Sequence, residues 1–234
     1  MTQHPPKFPR TYHLPFSPGL QNDDRLHQNP QRFVGPELVI TEKLDGGTTC
    51  IYRGDVYARS TGQPSKHPSF DYIKNVHVPR TIGTCDDLML YGENLYAIHS
   101  IEYGDLPDFF FLFAVTDGER WYSWDEVCLV AESCDFRTTP LIYRGTVDSI
   151  PDLERKALLE PTYPAGPDQP PVMERRKYSE FYGDLEGFVV READEFPFPE
   201  YTERAAKYVR ANHISTNNHW SKNWRAAQLG SSAT

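Results

Sequence analysis

From residue 37 onward the hydrophobic and polar positions fall into a β pattern. Three short runs come first, Glu37–Lys43, Thr48–Arg53 and Asp55–Arg59, and Arg53-Gly54-Asp55 turns the chain between the last two. Asp87–Ala97 is a further strand, with Tyr91-Gly92-Glu93-Asn94-Leu95 inside it. Phe109–Val115 is almost continuously apolar, which suits a central strand buried on both faces. Leu141–Tyr143, Leu185–Arg191 and Ala205–Arg210 complete the strands. Helical signals are fewer. Ser69 is placed to cap a short helix through Val76. Ser123-Trp124-Asp125-Glu126 is a capping box that opens a helix to about Glu132. Ser149-Ile150-Pro151-Asp152 opens another to about Glu160. Residues 1–36 are rich in Pro, His and Asn and read as an extended arm, which either packs across the domain or contacts a ligand. Residues 161–171 hold five prolines and read as a surface loop, and 226–234 read as frayed.

A chain of 234 residues with 38% hydrophobic positions suits one domain spanning 1–234, with the arm 1–36 and a short basic tail 211–234 as appendages. No apolar run approaches the roughly 18 residues of a membrane span. Met1–Pro6 carries no apolar leader, so the cytoplasm is the expected compartment. Cys50, Cys85, Cys128 and Cys134 form neither a Cys-x-x-Cys pair nor a Cys/His cluster of zinc-finger spacing, so free thiols are expected. With 24 Lys and Arg against 33 Asp and Glu the net charge is −9, which argues against a generic nucleic-acid-coating protein. A local basic track remains compatible with that total, because the field near a cleft depends on placement. Residues 180–203 carry eight acids against Arg191 alone, whereas 204–225 hold Arg204, Lys207, Arg210, Lys222 and Arg225 with no acid.

The candidate chemistry begins at Thr41-Glu42-Lys43-Leu44-Asp45-Gly46-Gly47, a lysine at the end of an apolar run and just before a tight turn. A lysine amine is a nucleophile only when neutral. With an unperturbed pKa of about 10.4, roughly one in a thousand is neutral near pH 7.4, and holding it so is worth about 4 kcal/mol. Partial burial and neighbouring cations are the expected means. Taken alone, the same residues also read as a strand, an Asp-Gly-Gly hairpin turn and a solvated lysine. Glu93 and Glu186 each lie in a strand beside a glycine, and Lys207 lies in a late strand. Each glutamate alone reads equally as an outward, solvated residue. Two such glutamates between two lysines point to a cleft that handles a polyphosphate and Mg²⁺.

In this order the residues resemble the covalent nucleotidyltransferases, the ATP-dependent RNA and DNA ligases and mRNA capping enzymes. Glu42-Lys43-Leu44-Asp45-Gly46 looks like their first motif, Arg59-Ser60-Thr61-Gly62 the second and Tyr91-Gly92-Glu93-Asn94-Leu95 the third, followed by the aromatic strand Phe109–Val115. Glu186-Gly187-Phe188-Val189-Val190 looks like the fourth and Lys207-Tyr208-Val209-Arg210 the fifth. The Tyr-Gly-Glu-Asn-Leu form, the segment Ser65–Phe70 and the short chain are most similar to RNA ligases of the phage and bacterial repair type.

The resemblance implies an α+β fold, two antiparallel sheets with flanking helices and ATP in the cleft between them. It implies a three-step reaction: Lys43 takes AMP from ATP, the AMP passes to a 5′-phosphate, and a 3′-hydroxyl displaces it. Among the implied roles, Glu42 meets the adenine amine, Phe113 stacks on the base, and Asp45, Gly46 and Arg59 belong to the ATP site. Glu93 holds the ribose or a metal-bound water, Glu186 carries Mg²⁺ or Mn²⁺, and Lys207 neutralises the α-phosphate and helps to depress the pKa of Lys43. Arg59, Lys66, Arg210, Lys222 and Arg225 are expected at the nucleic-acid end, with Trp220 and Trp224 interleaved, and the partner is expected to be RNA bound by a monomer.

Three features depart from the family pattern. Ala205 stands where a first lysine of Lys-x-Lys is usual, Ala114-Val115 stand where relatives often carry an acid, and too few residues follow 210 for an OB-fold. A capping-type guanylyltransferase and a catalytically inactive nucleotide- or RNA-binding module are the rival readings.

Overall fold

The computed structural model describes residues 4–21, 24–59, 62–159, 177–211 and 224–231. Its strands are β1 (Tyr12–His13), β2 (Leu38–Lys43), β3 (Gly47–Tyr52), β4 (Asp55–Ala58), β5 (Met89–Asn94), β6 (Phe110–Thr116), β7 (Arg120–Trp121), β8 (Arg137–Thr138), β9 (Leu141–Gly145), β10 (Gly187–Glu192), β11 (Phe196–Pro197) and β12 (Ala205–Val209). Its helices are α1 (Val78–Thr81), α2 (Trp124–Ser133), α3 (Ile150–Leu158) and α4 (Tyr201–Arg204). Two sheets result. One runs β1-β12-β10-β2-β9, the other β11-β7-β6-β5-β3-β4 with β8 beside β6. Pairing is antiparallel except for β1 on β12 and β8 on β6.

Strand alternation decides what faces the space between the sheets. In the first sheet Leu38, Ile40, Phe188, Val190, Ala206 and Tyr208 pack outward against Leu153, Ala157 and Leu158 of α3. The intervening Thr41, Lys43, Val189 and Lys207 line a cavity between the sheets. The second sheet buries Ile51, Leu90, Phe110 and Leu112 against Trp124, Val127 and Ala131 of α2. The Ser123 capping box is present, with the Glu126 carboxylate accepting the Ser123 N–H at 2.8 Å.

The arm packs across the domain and also reaches the cavity. Phe8 sits in an aromatic cluster, its ring 4.9 Å from both Tyr91 and Tyr201, and it lines the cavity as well. Burying such a ring contributes about 1.5–3 kcal/mol, so this contact helps to tie down the N-terminal segment.

Three sequence expectations shift. The helix expected from Ser69 to Val76 is a 3-10 turn at Pro68–Phe70 and a π turn at Ile73–His77 leading into α1. Pro79 has no N–H to continue an i→i+4 ladder, and the Val78 N–H reaches back five residues to Ile73 O instead. The end of the chain is not frayed through residue 231: the Ala227 and Gly230 N–H groups donate to Tyr96 O and Leu106 O, each at 2.8 Å. The proline-rich stretch 161–171 lies outside the described residues. All four cysteines are free thiols. Among the described residues no helix is long and apolar enough to cross a membrane.

Candidate active site

Lys43 ends β2, and the sheet register sets it opposite Gly187 of β10. That places Glu186, the residue before β10, against it, with Lys43 Nζ donating to Glu186 Oε1 at 2.5 Å. Glycine at 187 is what permits the arrangement. A Cβ there would lie 1.9 Å from the carbonyl oxygen of Tyr208 on β12. The turn after Lys43 is anchored by Asp45, whose Oδ2 accepts from Ser100 N at 2.8 Å, Ser100 Oγ at 2.7 Å and Ile101 N at 2.7 Å. The Asp45 N–H donates to the Tyr103 hydroxyl at 2.8 Å. Gly46 lies so close to Asn94 O that a Cβ would sit 2.5 Å from it. Asp45 and Gly46 therefore hold the lysine loop rigid as well as lining the cavity. Ser100 and Tyr103 carry no sequence signal that would have marked them.

The resting charge state of Lys43 corrects the sequence expectation. Burial pushes its pKa down, but the carboxylates of Glu186, Glu93 and Asp45 outweigh it, so the pKa is raised and the group is an ammonium. It is not held neutral by neighbouring cations in this state. Glu93, on β5 across from Thr48, is pushed up to about 8, first by burial and then by Glu186 and Asp45, with Lys43 opposing. An acid whose native pKa exceeds its unfolded one binds more protons when folded. Its contribution to stability is complete at low pH and is lost as pH climbs through about 8. Glu93→Gln should therefore unfold at the same urea concentration as wild type near pH 4 and at a higher one at pH 9. Urea melts across that range check this, and a pH-independent difference contradicts it.

The cavity has a volume of about 410 Å³ and collects Glu42, Lys43, Asp45, Gly46, Arg59, Glu93, Phe113, Glu186 and Lys207 on its walls. These are all the residues that the resemblance assigns to ATP. Glu42 is buried and its Oε2 accepts the Glu180 N–H at 3.1 Å. Phe113 meets Phe8 edge-on at 5.3 Å. Lys207 is ion-paired, with Nζ 3.0 Å from Asp24 Oδ1. His13, opposite Lys207 on β1, approaches the same carboxylate oxygen at 3.1 Å. Burial and the Lys207 ammonium both push the His13 imidazole down, which keeps it neutral at pH 7. Burial alone would raise Asp24, but Lys207 and the Gln21 N–H outweigh it and hold its carboxyl below the usual range. His13 and Asp24 are site residues that sequence reasoning missed, the arm's unassigned polar composition being the one hint.

Ala205 is buried in the aromatic cluster with Phe8, Trp121 and Tyr201, which leaves no room for a lysine stem. Directly across from it stands Arg191, also on the cavity wall. Burial pulls the Arg191 pKa to about 10, so it stays cationic, and its Nη2 donates to Tyr122 O at 2.6 Å. Of the remaining nucleic-acid candidates, those among the described residues do not line this cavity. Lys66 is exposed, Arg210 pairs with Asp184 at 2.7 Å, and Arg225 pairs with Glu102 at 2.8 Å. Lys222 lies outside the described residues.

The RNA ligase family model matches residues 36–209, from just before β2 to the end of β12. The chain belongs to the RNA ligase family. Solved structures agree on the fold. A Naegleria gruberi RNA ligase mutant with ATP and Mn matches with a TM-score of 0.52 and 14% identity over 77% of this chain and 52% of that one. A putative ATP-dependent DNA ligase from Aquifex aeolicus matches with a TM-score of 0.52 and 16% identity over 87% of this chain and 49% of that one. The chain thus spans about half the length of these ligases. No curated protein sequence matches it significantly. The two-sheet α+β architecture is the fold of these ligases, with Lys43, Glu93, Glu186 and Lys207 on one cavity.

Proposed function

We propose that this RNA ligase family member is an ATP-dependent ligase that joins 5′-phosphate and 3′-hydroxyl RNA ends through a lysyl-AMP on Lys43. The observation that carries the reading is Lys43 Nζ, 2.5 Å from Glu186, on the wall of a cavity that also presents Lys207, Arg59 and Phe113. In the first step the Lys43 ammonium gives a proton to solvent, its nitrogen bonds to the α-phosphorus of ATP, the bond from that phosphorus to the β-phosphate oxygen breaks, and pyrophosphate leaves. Burial already pulls the ammonium toward the neutral amine, and the surrounding carboxylates oppose it. Lys207 is placed to meet phosphate charge once it exchanges Asp24 for the nucleotide. Phe113 offers a ring face or edge to the base, and Glu42 an acceptor.

The residues fit a divalent cation. Glu186 and Glu93 present hard oxygen donors beside Lys43, and among the described residues no group of three or more His, Cys, Asp and Glu could cage a metal. Mg²⁺ is usually bound by one or two carboxylates, with water and substrate phosphates completing its shell. Such an ion supplies charge neutralisation to the phosphates and to these carboxylates. Naegleria gruberi RNA ligase has been solved with ATP and Mn, which supports the same requirement here.

Incubation with α-labelled ATP or GTP, followed by denaturing electrophoresis, tests the reading. Label from ATP is expected, and it should vanish in EDTA. Glu186→Ala should lower the yield about a hundredfold or more, and Glu93→Gln less. Preferential label from GTP would indicate capping chemistry, and no label a binding module. Full yield in EDTA would remove the metal from the account.

A further inference from the structure

A second cavity, of about 310 Å³, adjoins the first and is lined by Lys7, Arg10, Thr11, Tyr12, Asp24, Arg25, Arg59 and Lys207. The two share Thr11, Asp24, Arg59 and Lys207, so they meet at the Lys207–Asp24 pair. None of Lys43, Glu93 and Glu186 lines the second one. Its walls hold five cations against one acid. Three of those cations, Lys7, Arg10 and Arg25, come from the N-terminal arm.

Several cations elsewhere on the surface are ion-paired. Arg32, Arg120, Arg144 and Arg204 each pair with a glutamate. Among the described residues Lys7, Arg25 and Arg59 have no carboxylate partner. In a chain of net charge −9, converging unpaired cations are a local reversal of sign. Clustered positive charge of this kind favours an anion. All three are exposed, so the pocket opens to solvent.

We propose that this arm-built pocket receives the 5′-phosphorylated end of the RNA acceptor. The inference rests on the ligase reading and locates the substrate that reading leaves unplaced. Transfer from lysyl-AMP requires the incoming phosphate near the AMP phosphorus, and the second cavity, which Glu93 and Glu186 do not line, opens at Arg59 and Lys207 into the one that Lys43 lines. An oxygen of the 5′-phosphate bonds to the AMP phosphorus, the phosphorus–nitrogen bond to Lys43 breaks, and the departing amine takes a proton from solvent. The guanidinium forks of Arg25 and Arg59 suit a terminal phosphate, and Lys7 suits the next one along the strand.

The test uses Lys7→Ala combined with Arg25→Ala in the full chain. Lysyl-AMP formation from ATP should stay within about twofold of wild type. Single-turnover AMP transfer from the charged protein to a 5′-phosphorylated RNA should fall about tenfold or more. Its salt dependence should flatten by about 1.4 in log–log slope, from two lost contacts to a single strand. Fluorescence anisotropy with matched 5′-phosphate and 5′-hydroxyl RNA oligonucleotides gives a readout independent of Lys43. Wild type should prefer the 5′-phosphate and the double variant should not. Reduced adenylation with normal transfer would assign the pocket to the outer phosphates of ATP and overturn the proposal. So would unchanged transfer, or a 5′-phosphate preference that survives in the double variant. A wild type that takes no label from ATP would defeat the ligase reading, and the anisotropy comparison would still decide the pocket.

Discussion

Lys43→Arg is expected to carry no nucleotide after incubation with ATP, and Lys43→Ala likewise, with adduct yields at least about a thousandfold below wild type. The two variants fail for one shared reason and differ in another. Arginine keeps a cation beside Glu186, Glu93 and Asp45 but is protonated at every accessible pH and offers no attacking amine. Alanine removes the cation as well, leaving buried Glu186 without the ammonium that lies 2.5 Å away. The alanine protein should lose about 1–3 kcal/mol of stability at neutral pH, and the arginine protein less. Circular dichroism and urea melts separate the chemical effect from the structural one. An adduct on folded Lys43→Arg would show that another residue is the nucleophile.

Gly187→Ala should be severely damaging. The new Cβ would meet backbone, the Tyr208 carbonyl oxygen at 1.9 Å and its carbon at 2.9 Å, and backbone cannot swing aside as a side-chain tip can. Relief requires β10 and β12 to separate. That would break the register that sets Gly187 opposite Lys43 and Val209, and with it the Lys43–Glu186 contact. A loss of more than about 3 kcal/mol is expected, or no folded protein at all. A wild-type urea midpoint with full adenylation would mean that β10 does not pair in this register.

These two positions also show what the sequence could reveal. That Lys43, Glu93, Glu186 and Lys207 belong to one site was legible because strand position and neighbouring glycines are local signals. Each of the four lies on the cavity wall. The charge state of Lys43 was not legible, because it depends on a carboxylate 143 residues away whose distance only the fold fixes. The arm's role was hidden for a similar reason. β1 is two residues long, and it is held on β12 through contacts such as Ser17 Oγ accepting the Val209 N–H across 192 residues. A short Pro-rich segment gives no periodicity from which such pairing could be read. The basic tail shows the limit of composition, and its Lys222 lies outside the described residues. Arg210 and Arg225 are neutralised by Asp184 and Glu102, and charge counted along a sequence does not show pairing in space. Ala205 looked like a missing cation, whereas the register places Arg191 directly across from it.

The central claim is that nucleotide bound to Lys43 is an intermediate on the way to a sealed strand. A chase measures this directly. Protein charged with α-labelled ATP and freed of nucleotide is mixed with RNA bearing a 5′-phosphate and an adjoining 3′-hydroxyl, and the label is followed with time. The account predicts that label leaves the protein, appears on the RNA 5′ end, and ends as free AMP while sealed RNA accumulates in equal amount. Label that stays on the protein in the presence of RNA, or that leaves it without sealed product, would contradict the claim.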